Sequence, residues 1–186
     1  MYQPELINKA LDLLNKKLQE EGISIEITVL GSMALYYHGF LESHLTSDID
    51  FYEHQMPTRV EELFLEVAEE IGLASDWINN RSSSISPLPD GYEGRLKKIS
   101  TLSHISIQLF STEDLIKLKV YAYYTRMANK DMEDLKLLNP NRQLLDAGIK
   151  FLELQIIHHH GTDELKKHLK EINKFREHLY AEFGQI

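Results

Sequence analysis

A mixed α+β fold is predicted for this chain by three features of its sequence. Both ends carry amphipathic segments of helical period, short alternating segments lie between them, and glycines punctuate the boundaries. The composition agrees with such a domain. The chain has 186 residues, 42% of them hydrophobic and 26% charged, which is enough for a real core and ordinary for a globular protein.

Residues 3–21 place Leu6, Ile7, Ala10, Leu13, Leu14 and Leu18 at helical spacing, stopped by Gly22. "ISIEITVL" (23–30) alternates Ile23, Ile25, Ile27 and Val29 against polar partners, the pattern of a strand. Gly31 breaks it, and Ser32 is placed to cap a short helix through "MALYYHG". "TSDIDFYE" reads as a second strand, and "TRVEELFLEVAEEIG" as a helix ended by Gly72. Residues 75–94, "SDWINNRSSSISPLPDGYEG", are the least regular stretch and long enough to be a functional loop. "RLKKIS" and "HISIQLF" read as a hairpin of strands. Helices follow. "STEDLIKLKVYAYYTRM" opens with a capping box in which Asp114 answers Ser111, and "KDMEDLKLL" runs to the Asn139-Pro140 break. Two long segments then turn at Gly161-Thr162 as a helical hairpin. The expected organisation is a domain over residues 1–138 with the hairpin, 139–186, packed on it.

Several functions are disfavoured. With no cysteine there is no disulfide, thiolate metal site or Cys nucleophile, which fits a reducing cytoplasm. A net charge of −9 argues against broad affinity for nucleic acid, leaving room only for a local basic cleft. The first segment is charged and amphipathic, unlike a secretory signal, and no apolar run reaches membrane-spanning length. A soluble cytoplasmic protein is the expectation.

The chemistry concentrates at Gly31-Ser32 and, after fifteen intervening residues, Asp48-Ile49-Asp50. In a strand, residues i and i+2 share a face, so both aspartates project together while Ile49 and Phe51 face the core. Two adjacent carboxylates repel, and a hard divalent cation such as Mg²⁺ removes that conflict. Alone, the pair is better read as the wet face of an edge strand, and Gly31-Ser32 alone as an ordinary strand-to-helix turn. Together they describe a triphosphate–metal site: glycine lets phosphate approach the main chain, the helix start offers free N–H groups, and the Ser32 hydroxyl donates one more bond.

"GSMALYYHGF…TSDIDFY" resembles the signature of the DNA-polymerase-β-like nucleotidyltransferase superfamily. With "DWINN", "PDGYEGRL" and "LFSTEDLIKLKVYAYYTRMANKDMEDL", the chain is similar to small bacterial proteins related to AbiEii-type toxins, over roughly residues 23–138. The resemblance implies a sheet flanked by helices, Mg²⁺ or Mn²⁺, and transfer of a nucleotidyl group from an NTP to a hydroxyl of an RNA or protein acceptor. It makes Asp48 and Asp50 metal ligands and catalytic residues, and gives the triphosphate to Gly31, Ser32 and Lys119. Arg126, Lys130, Asp131 and Asp134 fall on the family's helical pattern as auxiliaries. It also brings a toxin-type role and an antitoxin partner into view. A nucleotide-binding relative that has lost catalysis, acting as a regulatory or interaction protein, is the alternative.

Two departures stand out. The Ser32–Asp48 spacing is longer than the family pattern, and the third carboxylate is missing from "HISIQLF", where Gln108 is the available substitute. Glu53, at i+3 from Asp50, points to the other strand face unless the strand bends. Arg126, Lys130 and Asp134 fall at i, i+4 and i+8, so in a single helix they form a solvated ladder, whereas Asp131 can clamp Lys119 or Arg126 across helices. His158, His159 and His160 fan apart by about 100° each on a helix and read as a helix end, not a metal site. Trp77 and Tyr92 read as packing for the irregular stretch, with stacking on a base as the other option. The amphipathic terminal helices would suit a homodimer.

Overall fold

In the computed structural model, residues 2–41, 48–53, 55–81, 87–99 and 102–184 are described. Thr46 and Ser47 of the expected second strand, residues 82–86 of the irregular stretch, and Ser100 lie outside them, as does the side chain of His160. The fold is α+β, as predicted, and the chain divides into two units: Met1–Ile85 with Glu93–Phe110, and Ser86–Tyr92 with Ser111–Ile186.

The first unit holds the sheet. Helix α1 (Pro4–Glu20) buries Ile7, Ala10, Leu14 and Leu18 along one stripe and packs on α3 (Thr58–Ile71), whose buried stripe is Val60, Leu63, Phe64 and Val67. Both helices stop where glycine takes a left-handed φ, at Gly22 and Gly72. Strand β1 (Ile25–Val29) pairs in parallel with β5 (Ile105–Leu109), which pairs antiparallel with the short β4 (Lys97–Lys98). The expected hairpin is therefore present, and its long partner is β1. Strand β2 (Ile49–Asp50) pairs in parallel with β3 (Ile78–Asn79), and a Val29–Phe51 bridge sets β2 antiparallel against β1. The irregular stretch thus begins with a strand that its Ser/Asn-rich composition conceals.

The second unit is helical. In α4 (Thr112–Arg126), the Ser111 hydroxyl accepts from Asp114 N–H at 3.1 Å and donates to Asp114 Oδ2 at 2.6 Å. Helix α5 (Asn129–Leu138) follows after Met127, whose φ of +50° ends α4. Arg126, Lys130 and Asp134 accordingly lie on two helices, and the single-helix ladder is corrected: the left-handed turn at Met127 interrupts it. Helices α6 (Arg142–His160) and α7 (Thr162–Glu182) form the expected hairpin, turning at Gly161.

Candidate functional site

The turn after β1 carries the first half of the site. Its N–H at Leu30 donates to Asp50 O at 2.8 Å, and Tyr52 N–H donates to Thr28 O at 3.0 Å, so the strand bearing the aspartates is sewn to the turn. Helix α2 (Gly31–Tyr37) begins at once, with Gly31 at φ +64°. A Cβ at residue 31 would lie 3.0 Å from Asp50 Oδ2. Glycine is needed here twice over, for the left-handed backbone and for the closeness of the carboxylate.

Ser32 does not cap this helix. Leu30 holds the N-cap position without a side-chain bond, because the chain turns into helix two residues earlier than the capping reading requires. The Ser32 hydroxyl is instead buried, in a residue 7% exposed, and has no hydrogen-bond partner among the described residues. Such a group costs about 1–3 kcal/mol until something bonds it. The helix that carries it is fixed at its far end. His38, its C-cap, donates Nε2–H to Phe110 O at 2.8 Å, and the Tyr37 hydroxyl donates to Asn8 Oδ1 at 3.1 Å. Burial pushes the Tyr37 phenol well above its ordinary range, so it stays a neutral donor.

The second half is the aspartate strand. Ile49 and Phe51 are buried on the core face, with Phe51 edge-on to Phe64 and Phe64 edge-on to Trp77. The Val29–Phe51 bridge puts Asp50 on the opposite face, which also carries Thr28 and Gln108. Asp48 and Asp50 are both half-buried. Asp48 Oδ2 accepts from Asn79 Nδ2 at 3.0 Å. Two carboxylates beside a glycine turn and an unpartnered hydroxyl form a donor set suited to a hard cation and a phosphate oxygen. Among the described residues no third acid or histidine completes a metal-binding group with them.

Gln108 shares the face but not the neighbourhood. Its register partner is Thr28, so β1 separates it from β2, about 10 Å at ordinary strand spacing. The strand beside β2 is β3, and its residue opposite Asp50 is Asn79. Glu53 is otherwise engaged: its Oε2 accepts from Thr28 N–H at 2.9 Å, standing in for a strand carbonyl where the β1–β2 ladder ends.

Lys119, Arg126 and Asp131 belong to the second unit. Lys119 Nζ pairs with Asp131 Oδ1 at 3.4 Å and also bonds Asp134, while Arg126 reaches Asp131 Oδ1 at 2.8 Å. Both aspartates are buried, and the cluster ties α4 to α5. Lys130 is exposed on α5. The rings of His158 and His159 meet edge to face at 5.1 Å, and no metal-binding group includes them among the described residues. Trp77 is wholly buried and donates Nε1–H to Phe64 O at 2.9 Å, so it is core. Asn79 escaped the sequence reading. It lies within the "DWINN" motif that carries part of the resemblance, but the apolar Trp77-Ile78 pair before it is too short to show a period or to give it a role.

A glycine turn pressed against an Asp-x-Asp strand, on a sheet flanked by helices, is the arrangement expected of the nucleotidyltransferase fold. The chain belongs to the family described as nucleotidyltransferase of unknown function (DUF6036), whose model matches residues 7–181. No curated protein and no solved structure matches it.

Proposed function

We propose that the protein transfers a nucleotidyl group from an NTP to a hydroxyl of an RNA or protein acceptor, with Asp48 and Asp50 holding Mg²⁺ or Mn²⁺. The observation that carries this reading is the buried, unpartnered Ser32 hydroxyl next to a glycine that admits the Asp50 carboxylate at close range. A triphosphate oxygen would satisfy Ser32, and the absence of a side chain at Gly31 leaves the main chain open to the same anion. A bound divalent cation would supply charge neutralisation on the phosphates and a more acidic acceptor hydroxyl. The chain's own part is positioning: β1 and β2 fix Gly31 against Asp50, and α2, which carries Ser32, is held at His38. The toxin-type role and the antitoxin partner rest on the resemblance alone.

A second reading, a nucleotide-binding relative impaired in catalysis, is favoured by the amide of Asn79 opposite Asp50 on the neighbouring strand, where a third acid would be sought. One experiment separates the two. Thermal stabilisation by each NTP with Mg²⁺ or Mn²⁺ is measured on wild type and Asp50→Asn, followed by label transfer from the α-phosphate to RNA and protein mixtures. A ligand at a hundred times its Kd adds about 2.7 kcal/mol. Metal-dependent stabilisation lost in the variant, with label transferred, supports the enzyme. Stabilisation without transfer supports the second reading, and no stabilisation by any NTP defeats both.

A further inference from the structure

The side chain of Asn79 has three bonds that agree on one orientation. Its Oδ1 accepts from Arg81 N–H at 3.1 Å, a group that only donates. Its Nδ2 donates to Asp76 O at 3.3 Å and to Asp48 Oδ2 at 3.0 Å, groups that only accept. A flipped amide would break all three, so the network itself assigns the nitrogen to Asp48. Backbone register adds rigidity, since Asn79 sits opposite Asp50 on the paired strand, and an Arg81–Asp76 ion pair at 2.9 Å spans the same turn. The amide is thus locked by its own strand and presents one N–H to the first aspartate.

We infer that Asn79 is a positioning residue, fixing the Asp48 carboxylate in the orientation in which it takes a divalent cation. The inference rests on the metal-binding reading of Asp48 and Asp50 proposed above. It also accounts for the residue type. An aspartate at 79 would set an oxygen against both the Asp48 carboxylate and the Asp76 carbonyl, whereas an amide satisfies both. Partners of this kind orient ligating carboxylates, and their loss typically weakens metal affinity by about 10–100-fold.

The test is titration of the full chain with Mn²⁺ alone, followed by the resonance of free Mn²⁺, for wild type, Asn79→Ala, Asn79→Leu and Ile78→Val. Asn79→Leu keeps side-chain volume in case the alanine variant folds poorly. Ile78→Val loosens the same strand from its buried face, where Ile78 opposes Ile49. The expected result is a loss of about 10–100-fold in both Asn79 variants and near-wild-type affinity in Ile78→Val. Unchanged affinity in the Asn79 variants overturns the inference and leaves the proposed function standing. An equal loss in Ile78→Val overturns it too, because strand stability then explains the effect. A wild type that binds no Mn²⁺ overturns it outright, and the NTP stabilisation experiment tells whether the wider reading falls with it.

Discussion

Ser32 and Gly31 pull stability and function in different directions, and each can be tested singly. Removing an unpartnered buried hydroxyl relieves a cost of about 1–3 kcal/mol, so Ser32→Ala should leave the urea midpoint unchanged or raise it while NTP stabilisation falls. A lowered midpoint would show that the hydroxyl already has a partner. Gly31→Ala should fail on both counts. Its φ of +64° costs an L-residue about 1–2 kcal/mol, and its Cβ would push against Asp50 Oδ2. At this scale the sequence was legible where chemistry and local order coincide: Gly31, Ser32, Asp48 and Asp50 are contiguous with strong local signals. Asn79 was not legible, because its importance comes from parallel pairing with a strand some thirty residues earlier. Gln108 was sought as a third ligand for the complementary reason, since nothing local reveals that β1 lies between β5 and β2.

Among elements, the α4–α5 corner has one ammonium shared by two aspartates, with Arg126 also reaching Asp131. Lys119 serves Asp131 and Asp134, whose side chains are only 3% and 5% exposed. Lys119→Met should cost about 3–5 kcal/mol in chemical denaturation, because two buried carboxylates lose their shared partner. A much smaller loss would show that water reaches them. The α4–α6 contact is closer still. A Cβ on Gly148 would come within 2.8 Å of Val120 Cγ2, so Gly148→Ala should destabilise by about 1–3 kcal/mol through overpacking. Helix legibility was high because each helix announces its period and its stop: Gly22, Gly72 and Gly161 all end helices as read. The two segments read as separate helices, ending at Met127 and resuming at Lys130, and the structure places the left-handed turn at Met127 itself, an exposed residue whose type gives no sign of it. Strand β3 was missed because two residues carry no period.

For the molecule as a whole, charge sets the response to pH and salt. Arg59 bonds Glu21, Glu62 and Glu66, and Lys17 bonds Glu66 and Glu70, joining α1 to α3. The Arg59 guanidinium holds the Glu21 and Glu66 carboxyls below the ordinary glutamate value of 4.5, with Lys17 assisting at Glu66. A depressed folded value means stability that is fully present above 4.5 and lost as pH falls through the folded values. The denaturation midpoint should therefore fall below pH 4.5 by less in Arg59→Ala than in wild type, and the difference should shrink in high salt. Equal acid sensitivity would show these exposed pairs to be silent. The family model spans residues 7–181, and no helix among the described residues is long and apolar enough to cross a membrane.

The buried Ser32 hydroxyl also makes a claim about selection. A population of variants chosen only for heat resistance should replace it early, most simply with alanine, because no hydrogen-bond partner among the described residues rewards keeping it. A population chosen for nucleotide binding should keep it even as the surrounding core drifts. Where the two regimes diverge first would mark the boundary between what this chain needs to fold and what it needs to act.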